Sequence, residues 1–391
     1  MYTRTEYTCG TVALSATSGT AREFCQRIAR EAEAAGGAFA YVFHSPEIFS
    51  PQDLAAAFRE LAPGVPHAGC TTAGEITPAG LVAGNAVAVL LPKRCFSVMA
   101  TMIRDISSGG MERITGAVER LRLDISQQTV TPDARSFAVC LIDGLCYAEE
   151  AITSAIHWGL DDIPLLGGSA GDDMRFKETT VLCNGKAAVD AVVIVLVNTS
   201  VPFHIFKTDN FVPTDTKLVV TASDPEQRIV HELNAEAAAT EYASAIGMDP
   251  HSLGPFSFAS HPVVVRVGAD YYCRSIQKPN DDGSLSFFCA IDDGIVLTVA
   301  KPTGMVETTR AALDDVAKQL NGIDMILGFE CTHRRLDAQN RQIARDVSDL
   351  YVSNNVIGFA TYGEQYRSMH LNQTFTGVAF GHLPDPAKAA E

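Results

Sequence analysis

Gly69-Cys70-Thr71-Thr72-Ala73-Gly74-Glu75 and Gly358-Phe359-Ala360-Thr361-Tyr362-Gly363-Glu364 share a glycine, a threonine, a second glycine and a glutamate at identical spacing. A third stretch, Gly167-Gly168-Ser169-Ala170-Gly171-Asp172, keeps the ending of hydroxyl, small or aromatic residue, glycine and acid. Each copy follows a helix-like stretch and a short apolar segment, at Val65–Ala68, Ile163–Leu166 and Val356–Ile357. The pattern reads as a strand that runs into a tight glycine turn and then presents a hydroxyl and a carboxylate. Strand ends of this kind are where open α/β sheets bind ligands. Cys70, Thr71, Thr72, Gly74, Glu75, Gly168, Ser169, Gly171, Asp172, Thr361, Tyr362, Gly363 and Glu364 are therefore candidate ligand-binding positions. The plainer alternative is three ordinary turns after buried strands.

Around these loops the chain alternates helix and strand. A helix is predicted over Thr20–Ala35, capped by Ser18 and stopped by Gly36-Gly37, before a buried strand at Phe39–Phe43. Ser50-Pro51 opens a second helix. A helix over Met111–Leu123, a strand at Phe137–Leu141 and a helix at Ala148–Trp158 lead to the second loop. Asn184-Gly185 marks a hairpin. Strand-rich stretches follow at 203–233 and 261–300, then helix 305–320, strand 324–329, helix 335–351 and a last strand, Thr374–Phe380. The expected fold is mixed α/β, in two related, internally duplicated lobes with mixed sheets flanked by helices. The domains read as 36–234 and 235–380, with a flexible polar tail at 381–391.

A net charge of −16 and the lack of a basic run exclude a nucleic-acid or anionic-membrane surface. The longest apolar stretch, Ala187–Val197, contains Asp190 and is too short to span a bilayer. With no signal segment in view, a cytoplasmic location is expected. The ten cysteines show no Cys-x-x-Cys pair or zinc spacing and read as reduced, mostly buried thiols, with Cys70 set apart by its place in a signature loop.

Gly167-Gly168-Ser169-Ala170-Gly171 matches the Gly-x-Ser-x-Gly elbow of serine hydrolases, but no helical period follows the serine as the elbow requires. An enzyme using Ser169 or Cys70 is the competing class, and a ligand sensor is favoured over it. Among the histidines, His204 lies between Phe203 and Ile205-Phe206, His261 enters the strand carrying Arg266, and His370 follows the third loop. A neutral imidazole in an apolar setting suits a haem iron, although a satisfied core histidine is the commoner case. His157, His231, His251, His333 and His382 read as surface or structural. Arg266 and Arg274 either pair with carboxylates at a sheet edge or bind a ligand carboxylate or haem propionate.

The three loops, together with Leu165-Leu166 and Asn372-Gln373-Thr374, resemble the FIST family of sensory proteins over about residues 36–380. The resemblance implies N-terminal and C-terminal FIST regions that bind a small ligand and signal to other proteins. Phe206-Lys207-Thr208, Phe211-Val212-Pro213-Thr214 and Gly363-Glu364-Gln365-Tyr366 are similar to the nitric-oxide-sensing haemoprotein branch called NosP. That likeness implies haem b as cofactor and a partner histidine kinase in two-component signalling, while the flanking Phe203 and Phe206, which could wall an apolar pocket, make His204 the first choice of iron ligand, ahead of His261 and His370. A sensor of an amino acid or other small metabolite without haem is the alternative. Homo-oligomer formation stays open.

Overall fold

The protein is described here by a computed structural model covering residues 1–128 and 134–383. Of the tail expected at 381–391, residues 384–391 lie outside the described residues.

One structural unit is written three times. Unit I runs through Val12–Ala16, helix Ala21–Ala34, Ala38–His44, helix Pro51–Leu61, His67–Thr71, a hairpin of Glu75–Thr77 and Gly80–Val82, and Ala86–Pro92. Unit II repeats this order through Phe96–Arg104, helix Met111–Ser126, Arg135–Ile142, helix Glu149–Leu160, Leu165–Ser169, hairpin Val181–Cys183 and Lys186–Ala188, and Ala191–Thr199. Unit III uses Phe203–Asp209, helix Met305–Leu320, Met325–Cys331, helices Thr332–Asn340 and Ala344–Ser353, Val356–Thr361, hairpin Glu364–Tyr366 and Met369–Leu371, and Thr374–Phe380. In each sheet the unit's own long strands take the order first, last, second, third, with the second and third parallel.

The hairpins are exchanged in a ring. The unit I hairpin pairs with Val356–Thr361 of unit III, the unit II hairpin with His67–Thr71 of unit I, and the unit III hairpin with Leu165–Ser169 of unit II. Each signature loop is thus the point where its chain leaves one sheet for the next. The first glycine of each copy explains why this position is fixed. A Cβ on Gly69, Gly167 or Gly358 would overlap the backbone carbonyl of the parallel neighbour, at Val42, Cys140 and Gly328 respectively. The close approach is to a neighbouring strand, so these three glycines act in sheet packing.

The inner faces of the three sheets meet in one apolar core that includes Phe43, Leu141, Phe329 and Phe359, with Phe43 and Phe359 ring centroids 4.6 Å apart. Helices cover the outer faces and build a separate core for each unit. The fold is accordingly α/β with mixed sheets flanked by helices. Between Phe203–Asp209 and helix Met305–Leu320 of unit III the chain inserts a β-rich domain. Its sheet centres on the long strand Phe211–Asp224, paired with Val296–Pro302 on one side and Ile229–Leu233 on the other. Its core gathers around Tyr242, Phe258 and Phe287.

Several local expectations shift by small amounts. The first helix is capped by Thr20, which with Glu23 forms a reciprocal capping box, rather than by Ser18. The helix expected over 335–351 is two helices, broken where Gln342 takes φ +59°. Asn184-Gly185 turns a hairpin as its sequence demands, with φ of +45° and +74°.

Candidate functional site

The three signature loops meet and bond to one another through the backbone. Ala73 N–H donates to Ala360 O at 3.0 Å and Ala360 N–H to Gly74 O at 2.7 Å. Gly171 and Asp173 N–H donate to Thr71 O and Thr72 O, both at 3.0 Å. Ser169 N–H donates to Gly363 O at 2.8 Å, and the Thr361 hydroxyl returns to Ser169 O at 2.7 Å. Thr71, Thr72, Ser169 and Thr361 are all buried. The Thr72 hydroxyl donates to Glu75 at 2.5 Å, and Thr71 Oγ1 accepts from Thr180 N–H at 3.0 Å. Gly74 sits at φ +129°, which only glycine adopts readily, whereas Gly168, Gly171 and Gly363 make room for Phe359 and Thr361, for Ala73 and for His370.

The signature acids brace the exchanged hairpins. Glu75 accepts from Asn85 N–H at 2.9 Å and Glu364 from Thr374 N–H at 3.1 Å, in each case just where the unit's last strand begins. Asp172 accepts from the backbone of Phe176, Lys177 and Glu178 and from the Tyr362 hydroxyl. Burial raises Glu75 to about 7 and Glu364 to about 8, despite the opposing hydrogen bonds. An acid whose folded pKa is raised binds more protons in the folded state, so stability falls as pH climbs from its unfolded value near 4.5 through the folded value. Wild-type melting temperature is expected to decline over this window, and a Glu75→Gln/Glu364→Gln variant to show a shallower decline. Parallel slopes for the two proteins would show that neither carboxyl holds a proton in the fold.

Beside this ring, where the inserted domain closes over units II and III, lies a buried polar junction. Arg228 of the inserted domain, with 3% of its side chain exposed, bonds Glu149 at 2.5 Å and Glu150 at 2.7 Å in the first turn of helix Glu149–Leu160. It also donates to Phe288 O at 2.7 Å, while Glu150 accepts from Ala290 N–H at 3.1 Å. Phe288 in turn packs edge-on to the buried His333. His370, on the exchanged hairpin of unit III, is buried and holds Gln365 Nε2 at 3.1 Å from its Nδ1. Asn372 Oδ1 accepts from Ser275 N–H at 3.2 Å, joining the hairpin to the strand that carries Arg274. A Cβ placed on Gly363 would lie 2.8 Å from His370 Nε2 and 3.3 Å from Asn372 Nδ2, so both nitrogens converge on that glycine. Neither nitrogen has a hydrogen-bond partner among the described residues, nor has Glu364 Oε1. Burial pushes the His370 pKa down, with Glu150 and Glu149 pulling the other way, and an Nδ1 that accepts from the Gln365 amide places the ring hydrogen on Nε2. Arg274 is half-buried in the same electrostatic environment, and no carboxylate salt-bridges it among the described residues.

The remaining candidates lie apart. Arg266 is exposed and donates to Gly268 O in its own turn. His261 ends a short helix with Nδ1 3.2 Å from Ser257 O. His204 is half-buried on strand Phe203–Asp209, and partial burial together with Arg135 and Arg367 lowers its pKa. Haem would find at His204 a neutral imidazole and two guanidinium groups suited to propionates. None of the three haem-candidate histidines lines any of five surface clefts of 420–600 Å³. Among the described residues no group of three or more His, Cys, Asp and Glu gathers to hold a metal ion. Ser169 Oγ accepts from Gln365 Nε2 at 3.0 Å, and an amide cannot take the proton a nucleophilic serine must lose. Cys70 is buried, and that burial holds its pKa well above the ordinary thiol value.

Sequence reading missed Glu149, Glu150 and Arg228. Two glutamates in a first helical turn look like ordinary dipole partners, and their counter-ion lies 78–79 positions away. His333 read as surface or structural and is buried in the junction. Asn372 was visible only as part of the family pattern.

An α/β core of three hairpin-exchanging units, closed on one side by an inserted domain over a buried polar junction, defines the class of protein. The FIST N domain matches residues 38–236 and the FIST C domain residues 238–367, and the chain belongs to the FIST family. FIST domains are small-ligand-sensing domains of signalling proteins. An uncharacterized protein of Methanocaldococcus jannaschii is 22% identical over 259 residues, 56% of this chain and 49% of the relative. The chain thus spans about half the length of that curated relative. No helix among the described residues is long and apolar enough to cross a membrane.

Proposed function

We propose that the protein is a cytoplasmic sensor of a small, anionic or zwitterionic metabolite, such as an amino acid, that engages the junction of His370, Asn372 and Arg274. The observation that carries this reading is the pair of buried nitrogens, His370 Nε2 and Asn372 Nδ2, that have no partner among the described residues, near an arginine that no described carboxylate salt-bridges. Buried polar groups are nearly always hydrogen-bonded, so two unpartnered nitrogens beside one glycine favour an acceptor-bearing ligand that reaches both. Arg274 supplies charge, and the neutral His370, whose Nδ1 accepts from the Gln365 amide, a directed Nε2–H, a combination suited to a carboxylate. Occupancy would alter how the inserted domain sits on helix Glu149–Leu160, and a signalling partner would read that change.

A haem-based nitric oxide sensor regulating a histidine kinase, as in the NosP branch, is the second reading, favoured by His204 with Arg135 and Arg367 beside it. Isothermal titration of free amino acids and short dicarboxylates, run beside hemin titration followed at the Soret band, separates the two. The first reading expects saturable binding by at least one metabolite, weakened roughly tenfold or more in Arg274→Met and in Asn372→Leu. A Soret band that is present in wild type and lost in His204→Ala, with no metabolite bound, would put haem in its place.

A further inference from the structure

Helices Met111–Ser126 and Glu149–Leu160 of unit II lie side by side, held by the Thr115 hydroxyl donating to Ala155 O at 3.0 Å. A Cβ on Gly159 would meet Val118 Cβ at 2.8 Å and Thr115 O at 2.9 Å, so that glycine is explained by the close packing of the pair. Gly116 is not explained in this way. It sits in mid-helix, where glycine is destabilising relative to alanine, and a Cβ there would meet only Arg120 Nη1 at 3.8 Å. No other described residue comes within 4 Å of that position.

That space belongs to a groove of about 600 Å³ whose lining includes Met111 and Trp158. Trp158 is the chain's one tryptophan, and it is 77% exposed. The charged residues lining the groove are Glu112 and Glu119, seven positions apart on one helix and therefore on one face two turns apart. No salt bridge among the described residues involves either. An exposed aromatic anchor, a shallow small-residue floor and two unpaired carboxylates at helical spacing together complement one kind of occupant.

We propose that this groove docks an amphipathic helix of a signalling partner, its apolar stripe on Gly116 and Trp158 and its basic residues, two turns apart, on Glu112 and Glu119. The surface is independent of the ligand proposed above. It is nonetheless formed in part by the helix whose first turn holds Arg228, so both would share one rigid element.

The test uses the full chain, with Trp158 fluorescence as readout and short leucine–lysine and leucine–glutamate amphipathic helices without aromatic residues as probes. The expected result is a saturable blue shift with the leucine–lysine helix and none with its acidic counterpart. Gly116→Gln fills the floor without changing charge, and it is expected to weaken binding roughly tenfold while leaving the melting temperature unchanged or raised. Glu112→Gln/Glu119→Gln is expected to weaken it similarly, and Asp314→Asn/Asp315→Asn, at exposed positions of helix Met305–Leu320 in unit III, to leave it unchanged. Equal binding by the Gly116→Gln variant, equal binding of both peptides, or equal loss in the Asp314/Asp315 variant would overturn the proposal. A wild-type dimer that Gly116→Gln dissolves would overturn it too, since the groove would then serve a second copy of the chain.

Discussion

Gly358→Ala is expected to leave little folded protein. Gly358 lies in the middle of a sheet, paired in parallel with Gly328 and antiparallel with Ile76 of the exchanged hairpin. The added methyl would overlap the Gly328 carbonyl, which is backbone and has no rotamer by which to move aside. Relief requires the strands to part, which disturbs both ladders and the hairpin exchange that joins units I and III. A loss of roughly 4 kcal/mol or more is expected, at the far end of what single substitutions do. Gly64→Ala, at a position where a Cβ meets nothing within 4 Å, is expected to change stability by no more than about 0.5 kcal/mol. Urea denaturation of the two variants beside wild type measures the contrast, and a wild-type midpoint for Gly358→Ala would disprove the close-approach explanation of the signature.

Arg228→Met is expected to detach the inserted domain. The guanidinium bonds two carboxylates of helix Glu149–Leu160 and the Phe288 carbonyl, and Arg228 and Glu149 each have only 3% of the side chain exposed. Removing the cation strands the Glu149 charge in a buried site, a change that costs about 3–5 kcal/mol when one partner of a buried pair is deleted. The attractive groups sit on opposite sides of a domain boundary, so the loss falls on docking rather than on either core. Limited proteolysis is expected to cut first within the inserted domain, at protease levels that spare wild type. Adding Glu149→Gln to Arg228→Met is expected to recover part of the loss, because no buried charge then remains unpaired. An unchanged proteolysis pattern in Arg228→Met would mean that apolar contacts alone hold the domain.

The elements legible in the sequence were those with strong local chemistry. Ser50-Pro51 opens a helix and Asn184-Gly185 turns a hairpin because cap, fixed φ and positive φ are properties of single residues. The repeated signature marked three strand ends correctly located in the chain. It did not show that the hairpins after them cross to neighbouring sheets, since three-residue strands carry no register information. The opening strands Tyr2–Glu6 and Val12–Ala16 also passed unread, although the second is buried throughout, because Thr and Ser interrupt their apolar pattern. The junction was the least legible part. In the sequence His370 and Arg274 are candidates for separate reasons, and only the exchanged hairpin and the inserted domain bring them to one place.

The central claim is that a small ligand meets His370 and Asn372 at this junction, and nitrogen-15 NMR of histidine-labelled protein tests it most directly. On titration with any small molecule that calorimetry shows to bind, the account predicts that the His370 Nε2 resonance moves with the fraction bound, while that of His251, exposed on the inserted domain, stays fixed. A ligand bound to saturation with the His370 signal unmoved would contradict it.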